Sequence, residues 1–148
     1  MSKRDEISFA TTRQIRDHCL CLHVQRAARM VARRFDEALR PLGLTNGQFS
    51  LLTSLNRAEP ATMGTTATLL AMDRTTLTAA LKPLTRGGFV EVTIDPEDRR
   101  GRRLTLTRAG KSLLASAVPI WKRTHAEVER LLDGKDPDSL RRELQMLS

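Results

Sequence analysis

The chain has no tyrosine, one tryptophan and four phenylalanines among its 148 residues. Readers of RNA or single strands stack bases on exposed rings, and this sequence supplies few. Long apolar runs are also missing, since no stretch approaches the roughly 18 residues of a membrane span. The opening stretch, "MSKRDEISFATTRQIRD", lacks the apolar centre of a signal peptide. Two cysteines without a secretory signal point to a reducing cytoplasm rather than a disulfide framework. No nucleophile elbow, glycine-rich phosphate loop, catalytic carboxylate pair or complete metal motif is present. A thiol and an imidazole on one helix do not make a triad without an oxyanion site. The expectation is no enzyme, no cofactor and no resident metal.

What the chain does have is positive charge. The net charge is +8 and the sequence pI about 10.7, which favours a polyanionic partner. The charge is also unevenly placed. From Arg99 to Lys111 there are six cations and no acid. Four of the six crowd into "DPEDRRGRRLTLT", residues 95–107, between two stretches that alternate like strands. With so few aromatic residues, duplex DNA is the expected polyanion.

Hydrophobic periodicity orders the rest. Leu20, Val24, Ala27, Val31, Phe35, Leu39 and Leu42 step by three or four residues, which predicts one long amphipathic helix from Gln14 to Leu42. "TNGQFSLLTSL" offers Thr45 as a cap with Gln48 three residues on, a capping-box pattern, and turns Phe49, Leu52 and Leu55 inward. Thr62 caps a short helix bearing Met63, Ala67 and Leu70. Asp73 caps the next, "RTTLTAALKPLTR", with Leu77, Leu81 and Leu84 on its buried side and Gly87-Gly88 at its end. "FVEVTID" and "RRLTLT" form a hairpin. Thr107 then caps a long helix over 108–132, kinked near Pro119, and Asp136-Pro137 opens a last one to Leu147.

A short helix, a three-residue turn, a second helix and a basic hairpin make a helix-turn-helix with a wing. The fold class is therefore mainly α with a small β-hairpin wing. The second helix presents Arg74, Thr75, Thr76, Thr78, Ala79 and Lys82 outward, small or donor-bearing side chains suited to base edges in a major groove. The wing arginines suit phosphates and the negative potential of a narrow minor groove.

"DPEDRRGRRLTLTRAG", "AMDRTTLTAALKPLTRGGFV" and "LGLTNGQFSLL" together resemble the MarR family of bacterial winged-helix regulators. The likeness covers about residues 30–132. It implies one domain over 1–148, with a DNA-binding lobe over 45–107 and a helical dimerisation region over 8–44 and 108–148. It further implies a homodimer on a pseudo-palindromic operator, acting as a ligand-released repressor. In the family's wing motif the aspartate, here Asp98, pairs with and orients basic residues. Arg100 is the side chain that enters the minor groove, and Arg99, Arg102 and Arg103 are phosphate contacts or alternates. An architectural protein coating DNA without sequence preference is the competing class; the base-edge chemistry of the second helix speaks against it.

The effector is read from "DHCLCLHV", residues 17–24, and three readings stand side by side. The first is a small molecule, commonly an aromatic carboxylate or its thioester in this family, in a pocket lined by Cys19, His23, Trp121 and His125. An arginine of the first helix, Arg26 or Arg29, would meet the carboxylate. The second is oxidation. Cys21 to Phe49 aligns without gaps to the family's organic-hydroperoxide sensors, and Cys21 falls at their reactive cysteine. Their supporting tyrosines are here Gln25 and Phe35. The third is a metal held by Cys19, Cys21, His18 and His23, which on one helix do not converge without help from His125 or another subunit. In all three the cysteines compete with a plain packing role.

Overall fold

A computed structural model describes residues 6–148. Its elements run α1 (Phe9–His18), α2 (Leu20–Leu39), a 3-10 turn (Arg40–Leu42), α3 (Asn46–Ser54), β1 (Ala61–Thr62) and α4 (Met63–Leu69). After these come α5 (Arg74–Arg86), β2 (Val90–Ile94), β3 (Arg102–Leu106), α6 (Arg108–Arg130) and α7 (Pro137–Gln145). The antiparallel sheet has the order β1-β3-β2.

The capping signals act where the sequence places them. Thr45 and Gln48 form a reciprocal capping box at α3. The Thr62 hydroxyl accepts the Thr65 amide at 3.1 Å to start α4, and Thr107 receives the Gly110 amide at 3.0 Å to start α6. Leu77, Leu81 and Leu84 of α5 are all buried. They join Leu51, Leu52 and Leu55 of the α3 segment, Val90, Leu104 and Leu106 of the sheet, and Leu114 and Ala117 of α6 in one core. Proline at position 119 is accommodated inside α6, which runs as one helix from Arg108 to Arg130.

Two expectations are corrected. The predicted helix from Gln14 to Leu42 is two helices, because Cys19 is extended (φ −68°, ψ 108°). Its amide still bonds the Ile15 carbonyl of α1, while its sulfur accepts the Leu22 amide at 3.5 Å as the N-cap of α2. Periodicity alone does not register a break of one residue. The apolar stripe is also only half buried. Leu39 is the one fully buried residue of α2, whereas Leu20 is 69% exposed and Val24 39%. The second correction is a third strand, β1, pairing Ala61 with Leu104 and Thr62 with Arg103. Two residues are too few to show alternation.

The join between sheet and α6 is tight. The Thr107 amide donates to the Phe89 carbonyl at 3.1 Å and its hydroxyl to the Gly88 carbonyl. Gly110 lies so close that a Cβ there would stand 2.1 Å from the Phe89 carbonyl oxygen, which only a hydrogen in place of a side chain permits.

Candidate nucleic-acid interface

The buried leucines of α5 fix which side of that helix faces out. Arg74, Thr75, Thr76, Thr78 and Lys82 are all exposed, whereas Leu77, Leu81 and Leu84 are buried. The N-terminus of α5 is held by Asp73, whose Oδ1 accepts the Thr76 amide at 2.7 Å. The Thr76 bonds, from backbone and side chain, keep this carboxyl below its ordinary range. Thr78 donates its hydroxyl to the Arg74 carbonyl at 2.8 Å, so it offers a partner its acceptor lone pairs and its methyl. Between α4 and α5 the chain turns through Ala71 at φ 52°, and the Met72 amide bonds back to the Ala67 carbonyl at 2.9 Å. The four residues between Leu69 and Arg74 turn the chain so that α5 packs against α4.

The wing is stiffened from inside. The Asp95 amide donates to the Gly101 carbonyl at 3.1 Å, and the Gly101 amide to the Asp98 carbonyl at 2.8 Å. Asp95 Oδ1 accepts the Glu97 amide at 2.9 Å and also pairs with the Arg103 guanidinium at 3.1 Å. The two partners' side chains are only 14% and 30% exposed. Here the expectation for Asp98 is corrected. Its carboxylate accepts the Arg100 main-chain amide at 3.0 Å, and the ion pair with a wing arginine is made by Asp95 instead. The reason is register. Arg103 sits opposite Thr93, one pair from the turn, where Asp95 is its neighbour, whereas Asp98 lies in the turn and closes it.

The four wing arginines therefore differ. Arg103 is tied to Asp95. Arg102 folds back, donating to the Arg99 and Gly101 carbonyls at 3.3 and 3.1 Å. The exposed side chains of Arg99 and Arg100 make no hydrogen bond or ion pair among the described residues. Between wing and α5 lies a polar cleft of about 560 Å³, with Arg74 and Thr78 on one wall and Asp98, Arg100 and Arg102 on the other. The exposed side of α5, the cleft and the arginines of the wing tip lie side by side, with Arg100 on the cleft wall.

The residues named for an effector are dispersed. Trp121 stacks on His125, with ring centroids 4.7 Å apart, and faces Phe49 at 6.5 Å. His125 continues to Glu129 at 3.6 Å, which in turn receives Arg141 of α7 at 3.0 Å. Cys19 is half-buried, and Cys21, His23 and Arg26 are exposed, out along α2. None of those four lines a cavity with Trp121. His23 Nδ1 is bound to the Cys19 carbonyl at 2.8 Å. Among the described residues no cluster of three or more His, Cys, Asp or Glu side chains is placed to hold a metal ion, and no helix is long and apolar enough to cross a membrane. A link that sequence reasoning missed is Asp36. Its Oδ1 accepts both the Asn46 amide (2.7 Å) and the Asn46 side-chain NH₂ (2.8 Å), joining α2 to the start of α3. Ten residues separate the partners and no motif flags them.

Fold and surface together define a winged helix-turn-helix DNA-binding regulator. The MarR family model matches residues 44–101. An uncharacterised helix-turn-helix-type transcriptional regulator, YwoH of Bacillus subtilis (strain 168), is 31% identical over 116 residues, 78% of this chain and 82% of that protein. The M. tuberculosis transcriptional regulator MosR in complex with DNA has 38% identity and a TM-score of 0.80, covering 88% of this chain and 93% of that one. A mutant of E. coli MarR complexed with operator DNA has 25% identity and a TM-score of 0.80, covering 90% and 96%. The chain belongs to the MarR family of DNA-binding transcriptional regulators, and it is not an enzyme.

Proposed function

We propose that this protein is a cytoplasmic, homodimeric repressor that grips a pseudo-palindromic operator and is released by a small molecule. In this reading Arg74, Thr75, Thr76, Thr78 and Lys82 enter a major groove. Arg100, with Arg99, reaches the adjoining minor groove, and Asp98, Arg102 and Arg103 shape the wing. The observation that carries the reading is the asymmetry among the wing arginines: the two at the tip are free, and the two nearer the sheet are engaged. Free guanidinium groups beside a cleft lose none of their own partners when they meet phosphate or a groove.

A dimer built from 8–44 and 108–148, with 45–107 as the DNA lobe, is supported by what the single chain leaves exposed. Phe9 is 73% exposed, and neither α1 nor α7 has a buried residue. The mechanism follows from two-fold symmetry. Two recognition helices about one DNA turn apart would occupy successive major grooves, and the bound duplex would then be closed to polymerase.

The test is a titration of the dimer against its own upstream DNA and a scrambled duplex, at several salt concentrations, with Arg100→Ala alongside. Substitution should weaken operator binding by about 1–3 kcal/mol and leave the melting curve unchanged. Wild-type affinity in the variant rejects the wing assignment. Equal affinity for both duplexes makes the protein an architectural DNA coat. A reporter fused to the upstream DNA distinguishes a repressor from an activator by the sign of its response to deletion.

One observation favours a second reading, a hydroperoxide sensor. Cys21 is exposed in the first turn of α2, just after the residue whose sulfur caps that helix. DNA binding lost to cumene hydroperoxide in the wild type and kept in Cys21→Ser establishes that reading. Binding unaffected by peroxide in both leaves the cysteines as packing.

A further inference from the structure

The exposed residues of α5 carry a narrow chemistry. In a major groove Asn and Gln bracket adenine, Asp and Glu accept from cytosine, and Arg and Lys pair with guanine, while methyl groups meet the C5-methyl of thymine. Among the exposed residues from Arg74 to Arg86 there is no carboxamide and no carboxylate. The acid at the helix start, Asp73, is occupied as its cap, with Oδ1 on the Thr76 amide at 2.7 Å. Arg74, Lys82 and Arg86 remain for guanine or phosphate, together with a set of small side chains.

Hydrogen bonding divides the small ones. The Thr78 hydroxyl donates to the Arg74 carbonyl at 2.8 Å and has no proton left for a base. The Thr76 side chain bonds the Asp73 carboxylate and is held at the cap. Ala79 is exposed and offers a methyl alone. Thr78 and Ala79 follow Thr75 by three and four residues, the spacing of neighbours on a helix surface, so the three methyl groups lie together. Such a patch is drawn to a base by the apolar area that both remove from water. Of the four bases, thymine is the one that presents a methyl in the major groove.

We infer that α5 selects its operator by thymine C5-methyl groups, through Thr75, Thr78 and Ala79, and reads neither adenine nor cytosine through its own hydrogen-bonding edge. The inference rests on the reading given under Proposed function, in which α5 enters a major groove, and adds which feature of the bases is recognised there. Thr75 to Ala79 spans about 6 Å of helix, or about two base-pair steps. The recognised thymines should therefore fall within about three adjacent pairs of each half-site.

The full-length protein is first used to select duplexes from a random-sequence library. Bound duplexes should share a two-fold motif with adjoining A·T pairs in each half. The motif is then resynthesised with deoxyuridine for thymidine, which removes only the methyl, and separately with 7-deazadeoxyadenosine for deoxyadenosine, which removes the adenine N7 acceptor. Deoxyuridine in both halves should weaken binding about fivefold or more, and the 7-deaza base by less than that. A smaller effect of deoxyuridine, or an equal loss on the 7-deaza base, overturns the inference and leaves a sequence-specific regulator standing. A library without enrichment overturns the regulator reading, and this inference with it.

Two variants at one exposed position locate the reader. Thr78→Ser keeps the hydroxyl and drops the methyl; it should bind the thymidine duplex about threefold more weakly and the deoxyuridine duplex as the wild type does. Thr78→Val keeps the methyl and should retain the wild-type preference for thymidine. Both should melt with the wild type. Thr78→Ser with an undiminished preference overturns the part assigned to Thr78.

Discussion

The DNA lobe and the helical arms of this chain are built to different completeness. Among the described residues all fifteen buried hydrophobic side chains lie between Leu39 and Ala117; eleven belong to 45–107, and Leu39, Leu44, Leu114 and Ala117 are where the arms join that core. Outside that span the helices are amphipathic and keep much of their apolar surface exposed. Leu20, Leu131, Leu140 and Leu144 are 69, 58, 39 and 44% exposed. The lobe spends its apolar surface on itself; the arms keep theirs for another surface, which the proposed dimer would supply. Stability in one region should then be independent of protein concentration, and in the other tied to it.

The strongest way to break that contrast is within the lobe. Leu81→Ala should cost about 2–5 kcal/mol, because it opens a cavity in a closed core. Thermal melts at several concentrations should show the same loss at each. A concentration-dependent loss would place Leu81 in an interface. In the arms, Leu22→Glu should raise the monomer–dimer dissociation constant by about tenfold or more, near 1.4 kcal/mol, with the lobe's melting retained. Sedimentation equilibrium reads it directly, and an unmoved constant would remove α2 from the interface.

Asp36 sits between the two regions, and its effect should be smaller. Loss of one charged acceptor serving a helix start should cost about 1–2 kcal/mol in Asp36→Asn. Its folded-state carboxyl is lowered by the Asn46 backbone and side-chain bonds, so its contribution is present above the unfolded value of about 4 and disappears as pH falls through the folded one. Denaturant melts from neutral pH down to acid should show wild type and variant converging. A constant gap at all pH values would show that the carboxylate's charge has no part in the link.

Some of this was legible in the sequence because its causes are local. Thr45, Thr62, Asp73 and Thr107 are caps that act within three residues, and the leucine spacing of α5 records its buried side directly. The "LTRAG" stretch was legible as a signature and becomes physical in the structure: Leu106 is buried, Thr107 caps α6, and Gly110 admits the Phe89 carbonyl. What escaped was set by three-dimensional context. The break at Cys19 leaves the apolar rhythm intact, and β1 exists only because β3 lies beside it. Asp95 rather than Asp98 takes the wing ion pair because strand register brings Arg103 to it. Of the residues expected to line an effector pocket, Trp121 borders the cavities beside Phe49, while Cys19 and His23 stand apart along α2; helical spacing gave their types but not their distance from Trp121.

The seam at Thr107 has one more consequence. β3 ends at Leu106 and α6 begins at Arg108, so no slack separates the wing from a helix of 23 residues, roughly 35 Å long at 1.5 Å per residue. In the proposed DNA complex, helix and wing would act as a single lever with its short end in the DNA. A pivot on the order of 5° about that seam would carry the far end of such a lever by about 3 Å. Run backwards, in the proposed dimer a small adjustment among the arms would set the distance between two wings, and a duplex of fixed pitch would accept only one such distance.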